Sequence, residues 1–163
     1  FSDFARMPKP IFSKNNLVNL IRDNIKLLNE IDKSIKIKFL KNNDQILIDS
    51  DKEQLSRVFL NLIKNSIESI VQKSEKNPNF SKKITIELTE HDNHINVVIV
   101  DNGTGFKTLK NNIKDILNPY FTTKKNGTGL GLSIVNKIIN DHNGKIKFVK
   151  INTGAKIRIE FVK

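Results

Sequence analysis

Five of the seven glycines in this 163-residue chain lie in two short loops, and this clustering constrains the fold more than any other feature. Gly103 and Gly105 follow an apolar, strand-like run, whereas Gly127, Gly129 and Gly131 precede a helical pattern. Glycine is favoured where the backbone needs a positive φ or where a ligand approaches it closely. Because the start of a helix presents unpaired N–H groups, the second loop predicts a phosphate site. The alternative is that both loops are only tight turns.

Apolar spacing in the rest of the chain predicts its helices and strands. A helix starts after the polar residues 13–16 and runs to Asn29, and the longest helix starts at its cap Asp51 and ends before Pro78. A further helix covers 130–140, and 107–126 is expected to be a mobile connection with one weak helix. The order predicts an α/β two-layer sandwich, with helices on one face of a mixed, largely antiparallel sheet. The predicted strands are 35–39, 46–48, 84–88, 95–100, 145–151 and 155–162.

The chain carries 28 Lys and Arg against 17 Asp and Glu, a net charge of +11 that is common in nucleic-acid-binding proteins. Most lysines recur singly at alternating positions, as at Lys36 and Lys38, which is typical of the solvated side of strands. We therefore expect no nucleic-acid partner and keep nucleic-acid binding only as an alternative. The absence of cysteine excludes a disulfide scaffold, a Cys-ligated zinc site and a thiol nucleophile. No apolar run is long enough to cross a bilayer.

Asn61 and Asn65 lie four residues apart on the longest predicted helix, so their amides share one stripe. Amide oxygens are suitable ligands for a hard cation, and Mg²⁺ needs few protein ligands when phosphate oxygens are also present. The alternative is a surface hydrogen-bonding pair. Neither GxGxxG nor GxxxxGK[ST] occurs, because Leu132 stands where the first motif needs glycine and Ile146 follows Gly144 and Lys145. A Rossmann or P-loop fold is therefore disfavoured.

Four motifs together resemble a known family. NLIKNSIES at 61–69, DNGTG at 101–105, PYFTTK at 119–124 and GTGLGLSIV at 127–135 resemble, in order and spacing, the N, G1, F and G2 boxes of sensor histidine kinases. The resemblance implies a Bergerat-type ATP-binding fold. The opening FSDFARMP resembles the linker that follows the dimerisation helices of NtrY-type nitrogen-regulation kinases. We therefore expect 1–12 to be the linker and the end of the dimerisation helix, in a piece of a longer protein, and 13–163 to be the catalytic domain.

The resemblance also implies a role for each motif residue. Asp101 would accept a hydrogen bond from the adenine amine, which selects adenine over guanine, and Gly103 and Gly105 would let the backbone pass beside the base. Asn65 would coordinate Mg²⁺, with Asn61 close to the metal and the phosphates. The implied catalytic residues are Asn61, Asn65 and Lys124. The implied ATP-binding residues are Asn61, Asn65, Asp101, Gly103, Gly105, Phe121, Thr123, Lys124, Gly127, Thr128, Gly129, Leu130, Gly131 and Leu132.

Within that set, Gly127 to Leu132 would wrap the triphosphate at the start of a helix. Lys124, with Lys125, would neutralise the phosphate charge, and Phe121 would anchor the lid by packing into the domain. The implied reaction is transfer of the γ-phosphoryl group of Mg-ATP to a histidine on a dimerisation domain, followed by relay to a response regulator. A full-length homodimer, a cytoplasmic location for this domain and inner-membrane attachment of the whole protein are implied as well.

The acceptor histidine is expected to lie outside this chain. His91 and His94 fall on a predicted hairpin turn and His142 near a helix end, so all three are predicted to be surface residues. The chain should therefore bind ATP without phosphorylating itself.

Other members of the superfold remain alternatives. Type II topoisomerase subunits, mismatch-repair factors and heat-shock chaperones carry a glutamate that activates water where this chain has Asn61. That difference favours transfer over hydrolysis, although Glu68 keeps hydrolysis open. An anti-sigma-factor serine kinase is disfavoured by the kinase-type linker, and a nucleotide- or nucleic-acid-binding module without catalysis is a further alternative.

Overall fold

The structure is a computed structural model that describes residues 7–105 and 131–163. Helices and strands follow each other along the chain much as the apolar pattern predicts. In chain order, the described elements are β1 (Ser13–Asn16), α1 (Leu17–Asn29), β2 (Lys36–Lys41), β3 (Leu47–Ser50), α2 (Lys52–Lys76), β4 (Lys83–Glu90), β5 (His94–Asp101), α3 (Gly131–Asp141), β6 (Gly144–Lys150) and β7 (Ala155–Val162).

Five of these strands form one mixed sheet in the order β2-β4-β5-β7-β6. The β2 and β4 strands are parallel, and the other three neighbouring pairs are antiparallel. The remaining strands, β1 and β3, pair with each other in a small antiparallel sheet. The predicted two-layer architecture with a largely antiparallel sheet is therefore confirmed.

The sheet is apolar on the face that the helices cover. Every second residue of β4 and β5 is buried, as at Ile86, Val97 and Ile99, and α1, α2 and α3 pack together over these side chains. Alternation places the intervening residues on the opposite face, where Lys38 and Lys147 are exposed. The single lysines of the strands therefore lie on a solvated face, as the alternation predicted.

The helices begin at capping residues that the sequence supplies. The Asn16 side chain accepts the Val18 N–H at 3.0 Å at the start of α1, and the Asp51 carboxylate accepts the Gln54 N–H at 3.1 Å at the start of α2. Both caps satisfy backbone donors that the first turn leaves without helical partners. Within residues 7–105 and 131–163, no helix combines the length and the apolar character needed to cross a membrane.

The residues 13–16 form a strand rather than the polar start of α1 that was predicted. They pair with β3 in a register that joins Ser13 to Ser50. The Asn15 side-chain amide donates to the Ser50 carbonyl at 2.9 Å, and the Asn16 side-chain Oδ1 also accepts the Ile46 N–H at 3.2 Å. Side-chain amides thus hold a strand that has no apolar alternation to reveal it.

The prediction of a surface position is wrong for His142, which is only 5% exposed. Its Nε2 accepts the Asp51 N–H at 3.1 Å, its Nδ1 lies 2.7 Å from the Ile138 carbonyl oxygen, and its ring contacts Phe12 edge-on. Both ring nitrogens have partners, so burial costs little. His91 is exposed and His94 is half-buried, with their rings stacked on the β4–β5 turn.

Candidate functional site

Asp101 ends β5 and is only 4% exposed. Its Oδ1 accepts the Gly103 N–H at 2.9 Å, and the Ser66 hydroxyl and the Ala155 N–H also bond to the carboxylate. Burial nevertheless raises the pKa of Asp101, because desolvation outweighs these hydrogen bonds and the positive charge of Lys73. A carboxylate that the fold keeps buried at such a cost is typical of a binding site.

The loop after Asp101 is held so closely that side chains do not fit in it. A Cβ on Gly103 would overlap Ser69 of α2, and a Cβ on Gly105 would overlap the Gly154 carbonyl oxygen. Gly154, in the β6–β7 turn, would in its turn overlap the Asp101 carbonyl oxygen. The φ angles of Gly105 and Gly154 are +68° and +88°, values that L side chains rarely adopt. The loop 101–105 is thus enclosed between α2 and the β6–β7 turn.

A stripe on α2 carries the predicted asparagines and continues to the loop. Asn61, Asn65, Ser69 and Lys73 follow each other at four-residue spacing, and each of them is half-buried. The Ser69 hydroxyl accepts the Thr104 N–H at 2.9 Å and lies 3.0 Å from the Thr104 hydroxyl oxygen. The proposed metal ligands and the residues that hold the loop therefore share one face of one helix.

The third described part of the site is the start of α3. Gly131 is the first residue of this helix, and a Cβ on it would meet no atom within 4 Å. Leu132 is half-buried and packs on the core. The α3 helix packs against α2, so α2 contacts both the loop 101–105 and the helix that the second glycine loop precedes.

The described side chains offer amide rather than carboxylate ligands for a metal. Residues 7–105 and 131–163 contain no cluster of three or more His, Cys, Asp or Glu that could hold a metal ion. Mg²⁺ bound through phosphate oxygens and water does not need such a cluster, because one or two protein oxygens suffice. The amides of Asn61 and Asn65 are consistent with that requirement.

The structure therefore brings some of the predicted residues together, and the others lie outside the residues that it describes. Asn61, Asn65, Asp101, Gly103 and Gly105 belong to α2 and to the loop packed on it, and Gly131 and Leu132 begin α3. The remaining predicted residues, which lie outside the described residues, are Phe121, Thr123, Lys124, Lys125, Gly127, Thr128, Gly129 and Leu130.

Four residues of the site were missed by the sequence reasoning: Ser66, Ser69, Lys73 and Gly154. The repeated four-residue spacing from Asn65 through Ser69 to Lys73 was a usable signal for two of them. Gly154 gave only a weak signal, because it stands alone between two strands and touches the site through the fold.

Known proteins resemble this chain in both sequence and fold. Residues 50–163 match the family described as histidine kinase-, DNA gyrase B-, and HSP90-like ATPase. The NtrY-like sensor histidine kinase of Rickettsia felis is 34% identical over 159 residues, which cover 97% of this chain and 25% of that protein. The chain thus spans about a quarter of this curated relative.

Two solved structures of the histidine kinase ThkA extend the likeness to the fold. The nucleotide-free catalytic domain of ThkA is 30% identical with a TM-score of 0.79, over 94% of this chain and 96% of that one. ThkA in complex with the response regulator protein TrrA is 28% identical with a TM-score of 0.75, over 94% of this chain and 42% of that one. This chain belongs to the histidine kinase-, DNA gyrase B- and HSP90-like ATPase family, as an ATP-binding catalytic domain of the sensor histidine kinase type.

Proposed function

We propose that this domain binds Mg-ATP and presents its γ-phosphoryl group to a histidine on the dimerisation domain of the same kinase. The observation that carries the proposal is Asp101, a buried carboxylate at the end of a strand, beside a glycine loop that packs closely on α2. An ionised carboxylate has about four acceptor sites, and only some of them are used by the chain's own donors. An exocyclic amine is the matching partner.

The selection of adenine follows from whether the base presents a hydrogen-bond donor or an acceptor to Asp101. The adenine amine donates to Asp101, whereas guanine presents a carbonyl oxygen at the same position, which a carboxylate repels. A site built to bond a polar substrate group rejects an analogue that leaves its buried group unpaired. The domain should therefore prefer ATP to GTP.

The amide oxygens of Asn65 and Asn61 are the proposed protein ligands on the metal side. Bound Mg²⁺ supplies charge neutralisation of the phosphates. Because the stripe that carries these amides continues to Ser69, the same helix orients the metal side and the base side of the nucleotide. Lys124 and the glycines 127, 129 and 131 are proposed to complete the phosphate site.

Transfer to a protein is preferred to hydrolysis because Asn61 is an amide. An amide cannot take a proton from water as a glutamate does, so the described residues of this stripe orient the nucleotide without activating water. Measured ATP turnover by the 163-residue chain should be close to background. Brisk hydrolysis would instead favour Glu68 as a base and an ATPase function.

The proposed partners are a phosphoacceptor domain of the same kinase, in a full-length homodimer, and a response regulator. Support for the second comes from ThkA, whose structure in complex with TrrA contains a catalytic region like this chain. We also propose that 1–12 is the linker and the end of the dimerisation helix and that 13–163 is the catalytic ATP-binding domain. Residues 7–12 precede β1 without belonging to a helix or strand.

Calorimetric titration of ATP with and without Mg²⁺ tests the proposal. Wild-type protein should bind Mg-ATP, and Asn65→Ala should lose most of the gain in affinity that Mg²⁺ gives. Asn19→Ala, an exposed amide on α1, is the matched control and should bind as the wild type does. Absence of ATP binding by the folded wild type would refute the function, and an unchanged Mg²⁺ effect in Asn65→Ala would refute the metal ligand.

A further inference from the structure

Lys73 lies two helical turns beyond Asn65 on α2, outside the four family motifs. Its Nζ donates to the Asn102 carbonyl oxygen at 2.8 Å and lies 4.5 Å from the centre of the Phe80 ring. The side chain is half-buried, so its ammonium group is shielded from water on the side of the ring. A cation held by both an acceptor and an aromatic face has a defined position.

One peptide group connects Lys73 to the Asp101 carboxylate. The carbonyl oxygen of Asn102 accepts from Lys73, and the N–H of the same peptide, which belongs to Gly103, donates to Asp101 Oδ1 at 2.9 Å. The order is therefore cation, peptide dipole, anion. Hydrogen bonds in such a chain polarise each other, so the ammonium group strengthens the bond to the carboxylate.

Residue Asn102 itself is anchored by the segment at the start of β4. The Asn102 side chain donates to the Ser81 carbonyl at 2.5 Å and accepts the Lys83 N–H at 2.9 Å. Its backbone N–H donates to the Lys83 carbonyl at 3.3 Å. Because these bonds anchor Asn102, the Asn102–Gly103 peptide can turn its N–H away from Asp101 only by also breaking the bond from Lys73 to its carbonyl oxygen.

Within residues 7–105 and 131–163, the groups that face Asp101 come from α2, β4, β7 and its own loop. The α2 helix supplies the Ser66 hydroxyl and the charge of Lys73, β7 supplies the Ala155 N–H, and the neighbour on β4 is the apolar Ile84. Burial raises the pKa of Asp101, and Lys73 acts in the opposite direction. Among the described residues, Lys73 is therefore the charged side chain that favours the ionised carboxylate.

We propose that Lys73 is a positioning residue for nucleotide binding, which acts through the Asn102–Gly103 peptide to orient the Asp101 carboxylate toward the adenine amine. The proposal rests on the proposed function, since Asp101 is its target. With Lys73, the proposed nucleotide site extends two further turns along α2 and includes Phe80, whose ring contacts the ammonium group. Charge, hydrogen bond and aromatic contact are separable by substitution.

The first test does not need nucleotide. The carboxyl carbon of Asp101 is titrated by NMR in the 163-residue chain, in wild type, Lys73→Met, Lys73→Gln and Lys73→Arg. The midpoint should rise in Met and Gln, which lack the charge, and should return close to wild type in Arg. Lys76→Met removes an exposed lysine from the last turn of the same helix and should leave the midpoint unchanged.

The second test is the pH profile of Mg-ATP affinity for the same variants. Lys73→Met should weaken binding about tenfold at neutral pH, and the fall in affinity at acidic pH should begin at a higher pH than in wild type. A residue that only stabilised the fold would not move this profile. If Met does not fold, Gln, which can still donate a hydrogen bond, carries the test.

The outcomes separate the two proposals. An Asp101 midpoint that is the same in wild type, Met and Gln overturns the role of Lys73 whether or not ATP binds. If the midpoint shifts in Met and Gln but the wild-type protein does not bind ATP, the proposed function is overturned. The inference then fails as well, because there is no nucleotide for Lys73 to position. A shifted midpoint with a shifted affinity profile supports both.

Discussion

Two carboxylates lie near opposite ends of α2 and show opposite electrostatics. Asp51 caps the first turn and is half-buried, whereas Asp101 is almost fully buried against the second half of the helix. Burial also disfavours the charge of Asp51, but N–H groups of Ile11, Gln54 and Glu53 outweigh it, so the pKa of Asp51 is lowered. At Asp101 burial prevails and the pKa is raised.

On the proposed function, the difference separates a carboxylate that stabilises the fold from one that binds a ligand. Asp51 accepts the Ile11 N–H as well as the Gln54 N–H, and the Gln54 side-chain amide donates to the Pro8 carbonyl at 2.9 Å. These bonds attach residues 8–12 to the start of α2. The ionised form of Asp51 is therefore stabilised by the folded chain itself. Asp101 is ionised at a cost to the folded chain, and an amine donor from a bound base would offset that cost.

The largest expected effect is on the ligand side of this contrast. Asp101→Asn should weaken Mg-ATP binding by about 2 kcal/mol, or roughly thirtyfold, because a charged acceptor for the adenine amine is lost. The free energy of unfolding at neutral pH should rise, because no buried charge remains. Calorimetry and urea unfolding measure the two effects. Asp92→Asn, at an exposed position in the β4–β5 turn, should change neither.

Gly154→Ala should disturb the Asp101 end and spare the Asp51 end. Its φ of +88° and the overlap of a Cβ with the Asp101 carbonyl oxygen predict a loss of about 1–3 kcal/mol in the free energy of unfolding. ATP affinity should fall as well, because the strand end that carries Asp101 must shift. Gly131→Ala, where a Cβ has open space, should change unfolding by less than about 0.5 kcal/mol. Equal losses in both variants would contradict the packing argument.

Asp51→Ala should lower the stability of the fold and leave ATP affinity unchanged, the opposite of what is expected for Asp101→Asn. Loss of the cap should lower the free energy of unfolding by about 1–2 kcal/mol. The folded fraction should still bind ATP with wild-type affinity. Asp49→Ala provides the control, since the Asp49 side chain is exposed and its ion pair with Lys14 is 3.9 Å long. A loss of ATP affinity specific to Asp51→Ala would show that the two ends of α2 are not independent.

The smallest effects are in the pH dependence of stability, where the two carboxylates should have opposite signs. A lowered pKa means that the stabilisation by Asp51 is present above the ordinary aspartate pKa of 3.8 and is lost as the pH falls through the folded pKa. A raised pKa means that ionised Asp101 lowers the free energy of unfolding, and that this loss grows as the pH rises from 3.8 through the folded pKa. Urea unfolding of wild type, Asp51→Asn and Asp101→Asn across acidic pH measures both slopes, and slopes of the same sign would contradict the contrast.

The sequence predicted the parts of this molecule that follow from local pattern. Apolar spacing gave α1 and the broad buried face of α2, and the capping preference of aspartate gave Asp51 as the start of α2. The clustered glycines and the family motifs pointed to the loop 101–105, which the structure encloses between α2 and the β6–β7 turn.

The missed features depend on residues that are distant in the chain. Strand β1 is held by side-chain amides to β3, some 35 residues away, so no alternation marks it. His142 is buried because it accepts a hydrogen bond from Asp51, which lies 91 residues earlier. Lys73 meets Asn102 across 29 residues, and only the packing of β5 on α2 brings them together. Residues 106–130 lie outside the described structure, so the predicted roles of Phe121 and Lys124 stay predictions.

We propose that Asp101 recognises adenine, whereas Asp51 only stabilises the fold. The most direct measurement is the ratio of ATP to GTP affinity, by calorimetry with Mg²⁺, in wild type, Asp101→Asn and Asp51→Asn. We expect a strong preference for ATP in wild type, the same preference in Asp51→Asn and a largely lost preference in Asp101→Asn. A preference for ATP that survives in Asp101→Asn would contradict the account.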